Sequence, residues 1–166
     1  PFRNVLESRG SIIPLFKFQA ENSETFTVTH EMMTRFIMTL DDSIDLIEKT
    51  ILNASNGEIW LPKLKSMRIL DLANIFSERY SKPIKIIGMR PGEKLHEIMI
   101  PKEESMNCIE FKDYFIIPPL FSWWNAKDLK KKISDFGKKV NEDFEYNSSN
   151  KSLIMSKKDI KHLVLW

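Results

Sequence analysis

Ile86-Ile87-Gly88-Met89-Arg90-Pro91-Gly92-Glu93-Lys94-Leu95-His96-Glu97-Ile98-Met99-Ile100 is the stretch on which the reading of this chain turns. Lys85-Ile86-Ile87 reads as the end of a strand. Gly88 and then Pro91-Gly92 break it, and the spacing predicts a short helix over Glu93 to Met99. Arg90 is thereby placed on a turn between a strand end and a helix start. A guanidinium on a rigid turn beside free backbone N–H groups suits an anionic ligand. On the residues alone, a turn carrying a solvated Arg is the simpler reading.

Upstream, Ser11 is a candidate cap for a helix to about Glu21, with Pro14 tolerated in its first turn and Ile12, Leu15, Phe16 and Gln19 on one face. Phe26 and Val28 alternate with Thr25, Thr27 and Thr29, the pattern of a short half-buried strand. His30 to Phe36 reads as a loop. Thr39 and Asp42 form a capping box, and Leu40, Ile44, Ile47 and Ile51 recur at helical spacing. Glu58 to Leu61 is a strand stopped by Pro62. Ser66 is expected to cap a helix whose inner face is Ile69, Leu72, Ala73, Phe76 and Tyr80, and Ile84 to Ile87 is a strand. Helices alternating with strands in this way suit an α/β layer.

Downstream, Pro101 to Cys108 reads as a short turn or helix, and Glu110 to Ile117 as one strand closed by Pro118-Pro119. From Lys127 to Lys139 six Lys stand against Asp128 and Asp135, a surplus of +4 beside Trp123-Trp124. That run is read as a solvated face rather than a nucleic-acid patch, because it holds no Arg and no recognised binding motif. Tyr146 to Asn150 is expected to be an ordered turn, and Ser156 to cap a last helix with Ile160, Leu163 and Val164 inward.

The 166 residues suffice for a real core, and 25 basic against 23 acidic side chains leave a net charge of +2, which demands no acidic partner. The single Cys108 rules out an internal disulfide and favours the cytosol. No apolar run reaches the roughly 18 residues of a membrane span. His30, His96 and His162 are too scattered for a metal site, so no metal ligand is assigned. Glu93 and Glu97, four apart, are an alternative acid/base pair. The five glycines include no Gly-x-Gly-x-x-Gly. Tyr80, Tyr114 and Tyr146 are followed four places on by Ile84, Pro118 and Asn150, so no Tyr-x-x-x-Lys pair exists.

Arg90-Pro91-Gly92-Glu93-Lys94-Leu95-His96-Glu97 resembles the C-terminal signature of the nucleotide-sugar 4,6-dehydratases of capsule and surface-polysaccharide synthesis. These are extended short-chain dehydrogenases acting on UDP-N-acetylglucosamine. Asn4-Val5-Leu6-Glu7-Ser8-Arg9-Gly10-Ser11-Ile12-Ile13-Pro14 looks like the family's loop after the sixth strand. Met33-Thr34-Arg35-Phe36 looks like its Met-Thr-Arg-Phe motif. Tyr146-Asn147-Ser148-Ser149-Asn150 is similar to a tail of the dehydratase/5-epimerase branch.

The resemblance implies an α/β fold, the C-terminal substrate-binding portion of an extended short-chain dehydrogenase with the N-terminal Rossmann part absent. Residues 1–120 would form the nucleotide-sugar-binding portion and 121–166 a C-terminal extension. Asn4, Arg35, Arg90 and Glu93 would contact the UDP-sugar, Arg35 and Arg90 clamping one diphosphate. Glu93 would steady the Arg90 side chain or accept a ribose hydroxyl. The complete enzyme would use NADP, taking hydride from C4, losing water across C5 and C6 and returning hydride to C6. The glycine loop and the Tyr and Lys of that chemistry belong to the N-terminal half, so this chain would hold no catalytic residue and bind no cofactor alone. The implied partners are a UDP-sugar, the Rossmann half in the same or a separate chain, and further copies in a homo-oligomer. Nucleic acid and membrane are not among them, and the setting is cytoplasmic. The alternative is a non-catalytic binding or assembly module, or a split-gene remnant paired with a separate Rossmann half. Without that half, helices meant to cover its sheet would expose apolar faces.

Overall fold

The computed structural model describes residues 5–6, 8, 10–55, 57–119 and 137–164. The chain divides into two compact units, one of Pro1–Leu40, Leu64–Glu97 and Ser148–Trp166, the other of Asp41–Lys63 and Ile98–Asn147. Both mix helices and strands, so the α/β class holds.

In the first unit, β1 (Phe26–Val28) pairs in parallel with β5 (Ile84–Ile86), Phe26 opposite Ile84. Helices α1 (Ile12–Asn22), α3 (Ile69–Tyr80) and α5 (Lys157–Val164) supply the apolar faces packed with it. Three rings anchor this core. Phe16, Phe26 and Phe76 meet edge-on at 5.6, 5.5 and 5.8 Å between centroids, the geometry the ring quadrupole favours.

The α1 face turns out to be Ile13, Phe16 and Gln19, while Leu15 is exposed and Ile12 half-buried. Gln19 sets that rotation. Its amide donates to Thr27 Oγ1 at 2.7 Å and its Oε1 accepts the Thr27 N–H at 3.0 Å, so the buried amide is satisfied only in this orientation. Lys82 closes the other end of α1, its ammonium donating to the carbonyls of Gln19, Ala20 and Ser23.

Two sequence expectations fail nearby. His30 to Phe36 is not all loop, because Thr34–Ile37 forms β2, antiparallel to β4 (Lys65–Arg68). Ser66 lies inside β4 and caps nothing. Its N–H donates to Leu153 O and its carbonyl accepts the Met155 N–H, so the chain's last segment flanks the strand and holds Ser66 extended. The helix starts at Ile69, and Tyr80 at its end is exposed. Ser156 does cap α5, as a reciprocal pair. Asp159 N–H donates to Ser156 Oγ at 3.2 Å, and Ser156 N–H to the Asp159 carboxylate at 3.3 Å.

In the second unit, β3 (Ile59–Pro62), β8 (Tyr114–Ile117), β7 (Ile109–Glu110) and β9 (Lys138–Lys139) make one sheet in that order. The expected single strand over Glu110 to Ile117 is thus a hairpin, turned at Lys112 and Asp113 with Phe111 N–H donating to Tyr114 O. β6 (Ile98–Ile100) pairs with β10 (Tyr146–Asn147), and Tyr146 packs its ring on Phe115 and Phe144. The tail is therefore ordered at this point. A short helix α4 (Lys102–Ser105) precedes Cys108, which is fully buried. Burial, and then the nearby Glu110 carboxylate, push that thiol up to about 11. Helix α2 (Leu40–Asn53) forms as its periodicity predicts, yet Leu40, Ile44, Ile47, Ile51 and Leu52 are all exposed. Trp123-Trp124 and the basic run up to Phe136 lie outside the described residues.

Candidate functional site

The turn that carries Arg90 is built by two glycines. Gly88 and Gly92 have φ of +83° and +80°, conformations that an L side chain adopts only at a cost. Ile87 N–H still donates to Val28 O, so the β1–β5 ladder runs right up to the turn. Glu93 N–H then closes back on Arg90 O at 3.0 Å, and the Glu93 carboxylate accepts the Arg90 N–H at 3.2 Å. Thr29, just past the end of β1, donates its hydroxyl to Glu93 Oε1 at 3.4 Å. Glu93 therefore grips the backbone of the turn rather than the Arg90 guanidinium, the reverse of the expected pairing. That guanidinium makes no hydrogen bond or ion pair to any described residue, and Arg90 is exposed.

Glu93 to Met99 is not a helix. The segment 93–97 has no regular structure, and β6 begins at Ile98. Its polar groups are taken by distant partners instead of i−4 carbonyls. Leu95 O accepts the Thr34 N–H and one Arg35 Nη1 N–H, both at 3.1 Å. Lys94 O accepts Arg35 Nη2 at 2.7 Å, and Thr34 O accepts Arg35 Nη1 at 2.7 Å. Glu97 Oε2 accepts the Phe36 N–H at 2.9 Å, and its other oxygen lies 3.8 Å from Arg35 Nε. Glu93 and Glu97 thus share no helix face, and the acid/base pairing loses its geometry.

Arg35, Arg90 and Glu93 line a single cleft of about 280 Å³. Its other walls are the start of α1 at Gly10 to Ile13, the end of β1 at Thr27 to Thr29, and Ile87. The cleft thus opens at the carboxyl ends of parallel strands and at a helix N-terminus, where α/β folds collect ligands and where N–H groups and the helix dipole favour anions. Ser11 Oγ is buried in this wall without a hydrogen-bond partner among the described residues. The cleft is just below the ~300–1,000 Å³ usual for ligand pockets.

Asn4 lies outside the described residues. Thr29, Thr34 and Ser148 went unassigned in the sequence, where Ser148 figured only as part of the Tyr-x-Ser tail. His96, at the edge of this region, shares a 2.8 Å hydrogen bond between Nδ1 and Thr34 Oγ1. Burial, then the charges of Arg35 and His30, hold its imidazole below the ordinary histidine value. His30 itself accepts the Met32 N–H in a local turn. Among the described residues no group of three or more His, Cys, Asp or Glu could hold a metal ion, and no helix is long and apolar enough to cross a membrane.

With this geometry in view, comparison with known proteins gives a consistent family. Residues 1–119 match a family described as polysaccharide biosynthesis protein. The chain is 37% identical over 167 residues to a UDP-N-acetylglucosamine 4,6-dehydratase (inverting) of Campylobacter jejuni, covering 98% of this chain and 49% of that protein. It is 33% identical over 168 residues to a UDP-glucose 4-epimerase of Rickettsia rickettsii, covering 99% and 48%. Its backbone superposes on the X-ray structure of Pen from Bacillus thuringiensis with a TM-score of 0.79 at 32% identity, covering 98% of this chain and 47% of that one. The chain spans about half the length of the curated relatives it matches.

Proposed function

Because the chain belongs to the polysaccharide biosynthesis protein family, we propose that it is the nucleotide-sugar-binding C-terminal half of a UDP-N-acetylglucosamine 4,6-dehydratase, of the branch that also epimerises C5. The observation that carries this reading is the cleft at the ends of β1 and β5. An arginine from β2, an arginine and a glutamate from the Gly88–Gly92 turn, and the start of α1 share its wall. Two guanidinium groups brought close together in one cleft repel unless an anion or a carboxylate lies between them, and a diphosphate would answer both in a fork geometry that Lys cannot copy. The relative of dehydratase name supports the substrate class, a UDP-linked hexosamine.

In this reading Arg90, whose guanidinium donors meet no described residue, is the main diphosphate contact. Arg35 has spent three N–H groups on the carbonyls of Thr34, Lys94 and Leu95 and offers the diphosphate what remains of Nη2. Glu93 keeps the turn closed and presents its carboxylate to a ribose hydroxyl. Asn4, a few positions before α1 in the sequence, would add a further contact. In this reading the chain has no NADP site of its own, a view supported by neither β1 nor β5 running into a glycine-rich phosphate loop that opens a helix. The cofactor of the complete enzyme would lie with an N-terminal half, in a cytoplasmic homo-oligomer, with residues 121–166 as an extension of the sugar-binding portion.

The test is calorimetry with UDP on the chain joined to its N-terminal half. Wild type should bind, Arg90→Ala should lose about ten- to a hundredfold, and Arg90→Lys should recover only part. Unchanged affinity in Arg90→Ala and Arg35→Ala together would refute the diphosphate site. A second reading, a binding module assembled with a separately made Rossmann half, is favoured by the open apolar face of α2. Upstream coding sequence decides between them, because a glycine loop and a Tyr-x-x-x-Lys in the same frame establish the single enzyme.

A further inference from the structure

We infer that Ser148 is a positioning residue for the Arg90 turn, so that the C-terminal tail, beyond the stretch the family match covers, completes the ligand cleft; the inference rests on the UDP-sugar reading of that cleft. The segment Lys94 to Glu97 carries the turn's trailing end and has no helix or strand of its own. An irregular segment holds one geometry only if outside partners satisfy its backbone groups. β2 takes the Lys94 and Leu95 carbonyls, through the Thr34 N–H and the Arg35 guanidinium, and its Phe36 N–H holds the Glu97 carboxylate. Ser148 takes both backbone groups of Glu97. Its N–H donates to Glu97 O at 2.9 Å, and its Oγ accepts the Glu97 N–H at 2.9 Å. The same Oγ lies 2.7 Å from Thr34 Oγ1 and 3.3 Å from Thr34 O, and Thr34 Oγ1 continues to His96 Nδ1.

Ser148 is therefore a rivet through three layers of chain, its own, the 94–97 segment and β2. It is fully buried. Only a small side chain fits, and only a hydroxyl both accepts from Glu97 and donates towards Thr34. Alanine leaves the Glu97 N–H and Thr34 Oγ1 without that partner inside the protein. The turn would then keep its anchors at Ile87 and at the Lys94 and Leu95 carbonyls but lose the one at Glu97. Among the described residues the Arg90 guanidinium has no hydrogen-bond or ion-pair partner, so its position there depends on the turn's backbone.

The experiment combines a double-mutant cycle with hydrogen exchange, on the chain joined to its N-terminal half. Ser148→Ala should weaken UDP binding about five- to thirtyfold in the wild-type background and have little further effect in Arg90→Ala. Amides of residues 93 to 97 should exchange faster in Ser148→Ala, while those of Leu72 to Phe76 in α3 stay protected. Ser148→Cys, close in size and with a weaker donor, should lie between and serves if the alanine variant does not fold. Equal loss of affinity in both backgrounds would show a general structural role and overturn the inference. So would unchanged exchange at 93–97, which needs no ligand. Absence of UDP binding by the unmutated protein would instead strike the functional reading, leaving the exchange result to judge Ser148.

Discussion

At the residue scale, two arginines on one cleft wall do different work. Arg90 is exposed and its guanidinium bonds no described residue, so its removal should change stability only within the scatter of surface substitutions, about 0.5 kcal/mol either way. Arg35 ties three carbonyls together, and its removal leaves them to find water or go unpaired. We therefore expect Arg35→Ala to lower both UDP affinity and melting temperature, by about 1–3 kcal/mol of stability, and Arg90→Ala to lower affinity alone. Paired calorimetry and thermal melts decide it; matching stability losses in the two variants would refute the distinction. His96 gives a pH test. Its folded pKa lies below 6.5, first through burial and then through Arg35 and His30. As pH falls, the unfolded chain takes up the proton before the folded one. The stability His96 contributes is complete above about 6.5 and declines as pH drops from there through the lowered folded value. Urea midpoints of wild type and His96→Asn, compared between pH 7.5 and 5, should converge towards the acid end. Parallel curves would place the pH dependence elsewhere.

At the scale of elements, the sequence was most legible where one local rule sufficed. α1, α3 and α5 follow helical apolar spacing, β1 follows strict alternation, and the Gly88–Gly92 turn follows from its glycines. It misled where the deciding partner is far away. β2 has a polar-looking sequence and becomes a strand because β4 pairs with it, and β4 in turn is held by residues 153 to 155. The segment 93–97 has helical spacing, yet Arg35 and Ser148 claim its carbonyls and amides, and each such bond is one the helix would have needed. The hinge at Lys112 and Asp113 carries no Gly or Pro, so one strand was expected where two stand. The candidate site was half legible for the same reason. Its charged residues stand in motifs, while the hydroxyls that hold them are ordinary Ser and Thr. Helix α2 tests the converse. Its periodicity is right and its apolar stripe faces solvent. Replacing Ile51 and Leu52 by Gln should leave the melting temperature of this chain nearly unchanged, since no buried contact is lost, and should raise its solubility. A drop of several degrees would mean that these side chains pack on the chain itself.

At the scale of the molecule, the two-stranded parallel sheet is the telling feature. Parallel strands occur almost always in larger sheets covered on both faces, yet β1 and β5 pair only with each other among the described residues. Ile86, Ile87 and Met89 beside them are exposed, as is the stripe on α2. These are the surfaces expected of a chain that works against a further parallel sheet, and its relatives are about twice as long. The division of labour then follows from chemistry. Holding a diphosphate needs cations and backbone N–H groups, and on the proposed reading Arg35, Arg90 and the start of α1, which share one cleft, would supply them. Moving a hydride needs a dinucleotide on a glycine loop and a Tyr and Lys to move the proton, and neither motif occurs in these residues. We predict that the isolated chain, titrated with NADPH and followed by the quenching of its tryptophans, shows no saturable binding at micromolar cofactor. Incubated with UDP-N-acetylglucosamine and NADP, it should form no keto sugar. Adding the N-terminal half should restore both together, because on the proposed reading that half would hold the dinucleotide. Restored cofactor binding without turnover would locate a catalytic requirement in the pairing itself. Saturable NADPH binding by the chain alone would overturn the assignment of the two tasks to two halves.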